Sequence, residues 1–386
     1  MTKWEEKRLG EVAPFIYGKA LTAEKRKYGK YKVFSSAGVC GFSDNALAKR
    51  GIIIGRKGSV GTVFLSESPF YCIDTAFYID NVDDCCDMKF LFYYMTLLNL
   101  ESYNNDAAVP GLNRNLAHKL KIKIPDLPTQ QRIADILSAY DDLIENNNKR
   151  IALLQKAAQE LYKEWFVRFR FPGHETTRFV NGLPEGWEYI RLGKAIEIID
   201  GDRGTNYPKQ EEFYGEGHCL FLNAGNVTKT GFDFSAVSFI TEEKDKLLRK
   251  GKLKRGDVVL TTRGTVGNSA FYNDFVPFKH IRINSGMVIL RDLGCVSPEY
   301  VYCLLNSSYM LKSMELYASG SAQPQLPIKD MRRIKVINPD DGTMRTFTEK
   351  VQKQYNLIAL LVSKNQNLAK QRDLLLPRLM SGKLEV

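Results

Sequence analysis

The sequence predicts an α+β protein of duplicated architecture: two domains of mixed helix and sheet, related by a pseudo-twofold axis and joined by two long antiparallel coiled-coil helices. Three observations carry this expectation. A tryptophan-led globular segment occurs twice, at Trp4 and Trp187. Each copy runs into a long stretch of heptad spacing. Short β-rich runs followed by glycine-spaced turns recur in the same order inside both copies.

The repeat is legible residue by residue. Trp4-Glu5-Glu6-Lys7-Arg8-Leu9-Gly10 with Gly18 matches Trp187-Glu188-Tyr189-Ile190-Arg191-Leu192-Gly193 with Gly201. Gly51-Ile52-Ile53-Ile54 before Lys57-Gly58-Ser59-Val60-Gly61 matches Gly256-Asp257-Val258-Val259 before Arg263-Gly264-Thr265-Val266-Gly267. Leu112 to Pro125 aligns on Leu326 to Pro339, and the helix opening at Thr129 is aligned on one opening at Phe347. A period of about half the chain is too long for a stacked solenoid and indicates a duplicated domain plus helix.

The first domain spans residues 1–128. Gly51-Ile52-Ile53-Ile54 and Phe64-Leu65 are expected as strands, and Met88 to Leu100 as a helix. Residues 129–173 form the central helix and its linker: Pro128 precedes Thr129 as N-cap, and Pro172-Gly173 lies beyond the end. Its seam reads Ile133, Leu137, Tyr140, Ile144, Asn147, Ile151, Leu154, Ala158, Leu161 and Trp165, alternately four and three apart. The second domain spans residues 174–346, with strands at Val258-Val259-Leu260 and Met287 to Leu290 and a helix from Pro298 to Leu311. Residues 347–386 form the C-terminal helix, opened by a capping box at Thr346 and Glu349 and kinked or ended at Pro377.

Each seam carries one asparagine near its midpoint, so antiparallel packing predicts that Asn147 and Asn365 face each other and set the helix register. A helix of about 37 residues is about 55 Å long, longer than the ~34 Å turn of B-DNA, and acts as a ruler between the domains. A second apolar line, Leu361, Leu368 and Leu375, with Ile136, Leu143 and Ala157 on the first helix, is expected to receive a partner's helices.

Composition narrows the function class. The chain has 386 residues, 44% hydrophobic content and a net charge of +11, with a positive excess in all four segments. Charge spread in this way suits several contacts along a polyanion. No run approaches the ~20 apolar residues of a membrane span, and a cytoplasmic location is expected. Seven cysteines without a CxxC pair suit neither a disulfide framework nor a zinc ribbon.

Catalytic signatures are missing. There is no glycine-rich nucleotide loop, no GxxxxGK[ST] phosphate loop and no Asn-Pro-Pro-aromatic tetrapeptide, since Asn338-Pro339 continues as Asp340-Asp341. Asp233 with Glu242-Glu243-Lys244 lies in a charge-rich run without a counterpart in the first half, and His118, His174, His218 and His280 have no metal-ligand spacing. No catalytic residue, metal ligand or cofactor is assigned to this chain.

The candidate contacts are therefore those of a nucleic-acid binder. In the glycine turns, Arg56, Lys57 and Ser59, and Arg263 and Thr265, let backbone amides and a cation approach a phosphate or base edge together. Asn113, Arg114 and Asn115 in the first half, and Gln323 and Gln325 in the second, are residue types that pair with base edges. The alternating run around Lys279, Arg282 and Asn284 reads as a half-buried strand that places these three near a duplex. The basic run Lys244 to Arg255 reads as a solvated helix face.

Gln130-Gln131-Arg132-Ile133-Ala134-Asp135-Ile136-Leu137-Ser138, Leu161 to Val167 and Phe171-Pro172-Gly173 closely resemble the central helical region of the specificity (S) subunits of type I restriction-modification systems. Leu183 to Trp187 resembles the entry to their second domain, and Leu374 to Gly382 their C-terminal helical end. This resemblance covers the full chain. It implies two target-recognition domains that each read one part of a split double-stranded DNA sequence. It also implies helices that dock two methyltransferase (M) subunits, which carry the S-adenosylmethionine site and methylate adenine, and a motor-nuclease (R) subunit that joins for cleavage. The competing reading is a duplicated coiled-coil protein scaffold whose basic surface has no sequence-specific DNA role.

Overall fold

In the computed structural model, residues 4–103, 111–317 and 325–386 are described. The chain divides into two compact units, Met1–Ile144 with Leu368–Val386, and Glu145–Asn367. Each unit contains one globular domain and a length of both long helices.

The two domains have the same strand topology. In the first, Glu5–Arg8 pairs antiparallel with Lys121–Ile124, Glu5 opposite Ile124. In the second, Glu188–Arg191 pairs with Lys335–Asn338, Glu188 opposite Asn338. A four-stranded antiparallel sheet follows, Ile16–Tyr17, Ala76–Ile79, Gly51–Gly55 and Val63–Ser66 in spatial order. Its counterpart is Ile196–Asp200, Met287–Asp292, Val258–Thr261 and Ser269–Phe271. The third sheet is mixed in both: Tyr31–Ser35 is antiparallel to Gly38–Ser43 and parallel to Phe70–Cys72, as Cys219–Leu222 is to Phe239–Ile240 and Ile281–Ile283. The longer second domain adds a hairpin, Val227–Thr228 with Gly231–Phe232.

The glycines that mark the repeat sit where no Cβ fits. A Cβ on Gly18 would lie 2.1 Å from the Ile73 carbonyl oxygen, and one on Gly201 2.2 Å from that of Asn284.

The long helices run Leu127–Phe166 and Asp341–Met380, 40 residues each. Both start earlier than expected because an aspartate caps them. Asp126 Oδ1 accepts from Thr129 N at 2.9 Å, and Asp340 Oδ1 from Thr343 N at 2.9 Å. Thr346 lies inside the second helix, where its hydroxyl donates to the Gly342 carbonyl. Pro377 does not end that helix. Leu376, Leu379 and Met380 are buried in the first unit's core, and their burial offsets the hydrogen bond that proline cannot make.

These caps correct the helix alignment by one turn. Leu127 corresponds to Asp341, so Ile133 corresponds to Phe347 and Leu137 to Val351, and these last four residues are all buried. Asn147 then corresponds to Leu361, and Asn365 to Ile151. In the second unit Asn147 Nδ2 donates to Asn365 Oδ1 at 2.8 Å, and Asn365 Nδ2 donates to Asn148 Oδ1 at 2.9 Å. Trp165 meets Phe347 further along, with ring centroids 5.8 Å apart, so the helices are antiparallel there. They are antiparallel in the first unit too, where Asp141 pairs with Arg372 and Ile133 shares a core with Met380. Leu361 is buried in the same core as Ile151 and so belongs to the inner seam. Leu143, in the expected outer line, is exposed.

In each domain one short helix packs on the long helices, with different chemistry. Met88–Thr96 is capped by Asp87, which accepts from Phe90 N, and Pro298–Leu305 by Ser297, which accepts from Tyr300 N. Tyr93 and Cys303 are therefore equivalent. Tyr93 Oη donates to Asp141, which also pairs with Arg372. At the equivalent place Cys303 Sγ meets Tyr355 Oη at 2.9 Å among buried aromatic rings. Gln130 adds a second polar clamp to the first unit only: fully buried, it donates to the Cys85 and Pro125 carbonyls and accepts from Asp87 N. Its counterpart is Met344.

Candidate functional site

In the first domain the glycine turn joins strands Gly51–Gly55 and Val63–Ser66, with Gly58 and Gly61 at φ 77° and 80°. Two clips hold it. Arg56 N and Lys57 N both donate to the Thr75 carbonyl, at 2.9 and 3.0 Å. On the other side Leu112 N donates to the Arg56 carbonyl at 2.9 Å, and Lys57 bridges Gly111. The second clip brings Asn113, Arg114 and Asn115 beside Arg56.

The guanidinium carbons of Arg56 and Arg114 lie 5.0 and 4.9 Å from the centroid of Tyr17, a half-exposed ring. Arg56 also lies 5.7 Å from Phe77 and donates to the Asp74 carbonyl. Each cation–π contact contributes about 0.5–1 kcal/mol at an exposed site. More important is that two cations share one ring, with Lys57 and Ser59 exposed at the tip of the turn. Tyr17 is absent from the sequence-based candidates. Its only signal was its place before Gly18.

The second domain repeats the clips. Thr262 N and Arg263 N donate to the Gly286 carbonyl at 2.8 and 3.2 Å, Leu326 N donates to the Thr262 carbonyl at 3.0 Å, and Arg263 bridges Gln325. Arg263 and Thr265 are exposed on a turn whose Gly264 and Gly267 have φ of 72° and 96°. Asn284 Oδ1 accepts from Gly286 N at 2.9 Å and so shapes the Asn284–Gly286 turn against which Arg263 rests. Arg203, also absent from the candidates, donates to the Ser285 carbonyl and to Asp200. It joins Arg263 around this turn.

Four expectations need restating. Arg282 is not a surface residue. The strand Ile281–Ile283 is buried on both faces, and Arg282 Nε donates to Asp245 Oδ1 at 2.5 Å while its other nitrogens donate to the Lys250, Asp245 and Leu248 carbonyls. Burial raises the Asp245 pKa, but hydrogen bonds and charge from Lys252 and Arg282 outweigh it and hold the carboxyl below its ordinary range. Lys279 is exposed, but it precedes the strand Ile281–Ile283 whereas Asn284 follows it, so the two lie at opposite ends of that strand. Asn113 caps the helix Arg114–Lys119, its Oδ1 accepting from Asn115 N and Leu116 N. Gln323 lies outside the described residues.

The basic run Lys244 to Arg255 is neutralised in part. Lys244 pairs with Glu212, Lys246 with Glu242 and Lys252 with Asp245, and Arg255 stacks on Tyr272. His118 accepts from Phe15 N through Nε2 at 2.9 Å. Burial, with the Arg114 charge, lowers its pKa and keeps it neutral for that structural task. Among the described residues no cluster of His, Cys, Asp or Glu could hold a metal ion, and no helix is long and apolar enough to cross a membrane.

Residues 1–156 and 184–369 match the family model for the type I restriction modification DNA specificity domain. The chain is 28% identical over 343 residues, 87% of its length and 78% of the relative's, to the type I restriction enzyme MjaIX specificity subunit of Methanocaldococcus jannaschii. It is 24% identical to the MjaVIII specificity subunit of the same organism, over 99% of this chain and 93% of the other. Among solved structures, the type I restriction-modification S subunit from M. genitalium superposes with a TM-score of 0.60 at 20% identity, covering 98% of this chain and 96% of the other.

Proposed function

The chain belongs to the type I restriction-modification DNA specificity family, whose members are non-catalytic, and from that membership we propose that it reads a bipartite double-stranded DNA sequence, one half-site per domain. The observation that carries this reading is the duplicated clip. Lys57 bridging Gly111 and Arg263 bridging Gln325 fix the same glycine turn against the same following segment in both domains. Each turn presents a cation, a hydroxyl residue and exposed backbone at its tip, the groups that pair with base edges and phosphates. Arg56 with Arg114 flanks the Tyr17 ring in one domain, and Arg263 with Arg203 flanks the Asn284–Gly286 turn in the other, so the two readers have different surroundings.

In this reading the long helices dock two methyltransferase subunits, which hold S-adenosylmethionine and methylate adenine, and a motor-nuclease subunit joins them for cleavage. No step of the chemistry is assigned to this chain. The test is duplex binding by this chain together with its methyltransferase subunit. Salt-sensitive binding that prefers one split sequence supports the reading. Equal binding to all duplexes, or none, favours the protein scaffold instead.

A further inference from the structure

The two domains differ in the segment between the Gly18 and Gly201 positions and the following strand. In the second domain, residues 202–218 hold Asp202, Glu211, Glu212 and Glu216 against Arg203 and Lys209. In the first, residues 19–30 run into Tyr31-Lys32 and hold Lys19, Lys25, Arg26, Lys27 and Lys30 against Glu24. Because this basic segment has no repeat partner, aligning the two halves does not point to it.

Its attachment is specific. At one end Lys19 N donates to the Cys72 carbonyl at 2.9 Å, directly after Tyr17, the ring shared by Arg56 and Arg114. At the other, the strand Tyr31–Ser35 leads to Ser36, whose N donates to Thr75 Oγ1 at 3.3 Å and whose carbonyl accepts from Thr62 Oγ1 at 2.5 Å. Thr75 is the residue whose carbonyl holds the glycine turn. Between these roots the arm is packed down: a Cβ on Gly41 would lie 2.2 Å from the Arg26 carbonyl oxygen, and Arg26 Nη1 donates to Cys40 Sγ.

What this leaves outward is charge. Lys25, Lys27, Lys30 and Lys32 are exposed, beside the 86% exposed ring of Tyr28. None of the four forms an ion pair among the described residues, whereas Lys244, Lys246 and Lys252 of the second domain each do. Four unneutralised ammonium groups, on a braced arm rooted at both ends in the glycine-turn face, match a row of phosphates.

We propose that the arm Lys25–Lys32 grips the DNA phosphate backbone beside the half-site read by the first domain, supplying affinity without base selectivity. This rests on the DNA-reading function above.

The test is a salt titration of duplex binding, with the methyltransferase subunit present, comparing wild type with the K25A/K27A/K30A/K32A variant. Removing one lysine–phosphate pairing should reduce the log–log slope by about 0.9, so the slope should become shallower by roughly 3 to 4. Affinity for matched and unrelated duplexes should fall alike, the methylated sequence should not change, and the four-arginine variant should restore the slope. The paired control K244A/K246A should move it far less. An unchanged slope in a folded quadruple variant, or altered half-site bases, overturns the arm assignment. Absence of salt-sensitive, sequence-preferring binding by wild type overturns the parent reading instead.

Discussion

Replacing Arg282 by alanine separates a structural arginine from a DNA contact. The guanidinium and Asp245 are 5% and 2% exposed, and the arginine donates to one carboxylate and three carbonyl groups. Its removal leaves Lys252 as the charged partner of the carboxylate, with the His218 ring 3.6 Å away. Breaking a buried pair from one side costs about 3–5 kcal/mol, which at about 2–4 °C per kcal/mol for a unit of this size lowers the melting temperature by roughly 6–20 °C. Trp165 and Trp187 both lie in the second unit, so tryptophan fluorescence during urea unfolding reports it. The pH dependence has a defined sign. Because the folded Asp245 pKa is depressed, its contribution is present above the unfolded value, about 3.9, and is lost as pH falls through the folded one. R282A should weaken this acid dependence as well as the neutral-pH stability. A variant of wild-type stability that had lost one half-site would refute the structural assignment.

Three further outcomes are expected. Asn365→Ala should cost about 1–3 kcal/mol by leaving Asn147 buried without its partner, whereas replacing both by the aliphatic residues found at the equivalent Ile151 and Leu361 should restore or raise stability in urea titrations. Tyr93→Phe should destabilise the first unit by about 1.5–3 kcal/mol, the range for a hydrogen bond to a charged group; the Trp4 signal in a W165F/W187F background reads it. Arg56→Ala and Arg263→Ala should each weaken binding by about 1–3 kcal/mol and relax one half-site only, as measured by selection from randomised duplexes.

Much of this organisation was visible in the chain. Heptad spacing located both long helices, and the apolar runs at Gly51 and Val258 located the central strands, because periodicity reports burial directly. Periodicity misled where two arrangements share one pattern. Aligning Asn147 on Asn365 displaced the helix repeat by a turn, since the pair links non-equivalent positions across the antiparallel coil. Alternation around Arg282 suggested a half-buried strand, although a core cluster covers the face of Ile281 and Ile283 and the helix that carries Asp245 meets Arg282 on the other. Tyr17, Arg203 and the lysine arm escaped notice because search by repetition finds what two domains share, and these residues lie where the domains differ.

Sequencing the methylome of cells with and without this chain tests the central claim most directly. The account predicts adenine methylation at one split motif, present only with the chain, whose two halves change independently when R56A or R263A replaces the wild type. Methylation that is unchanged by its removal, or a single uninterrupted motif that both substitutions abolish together, would contradict it.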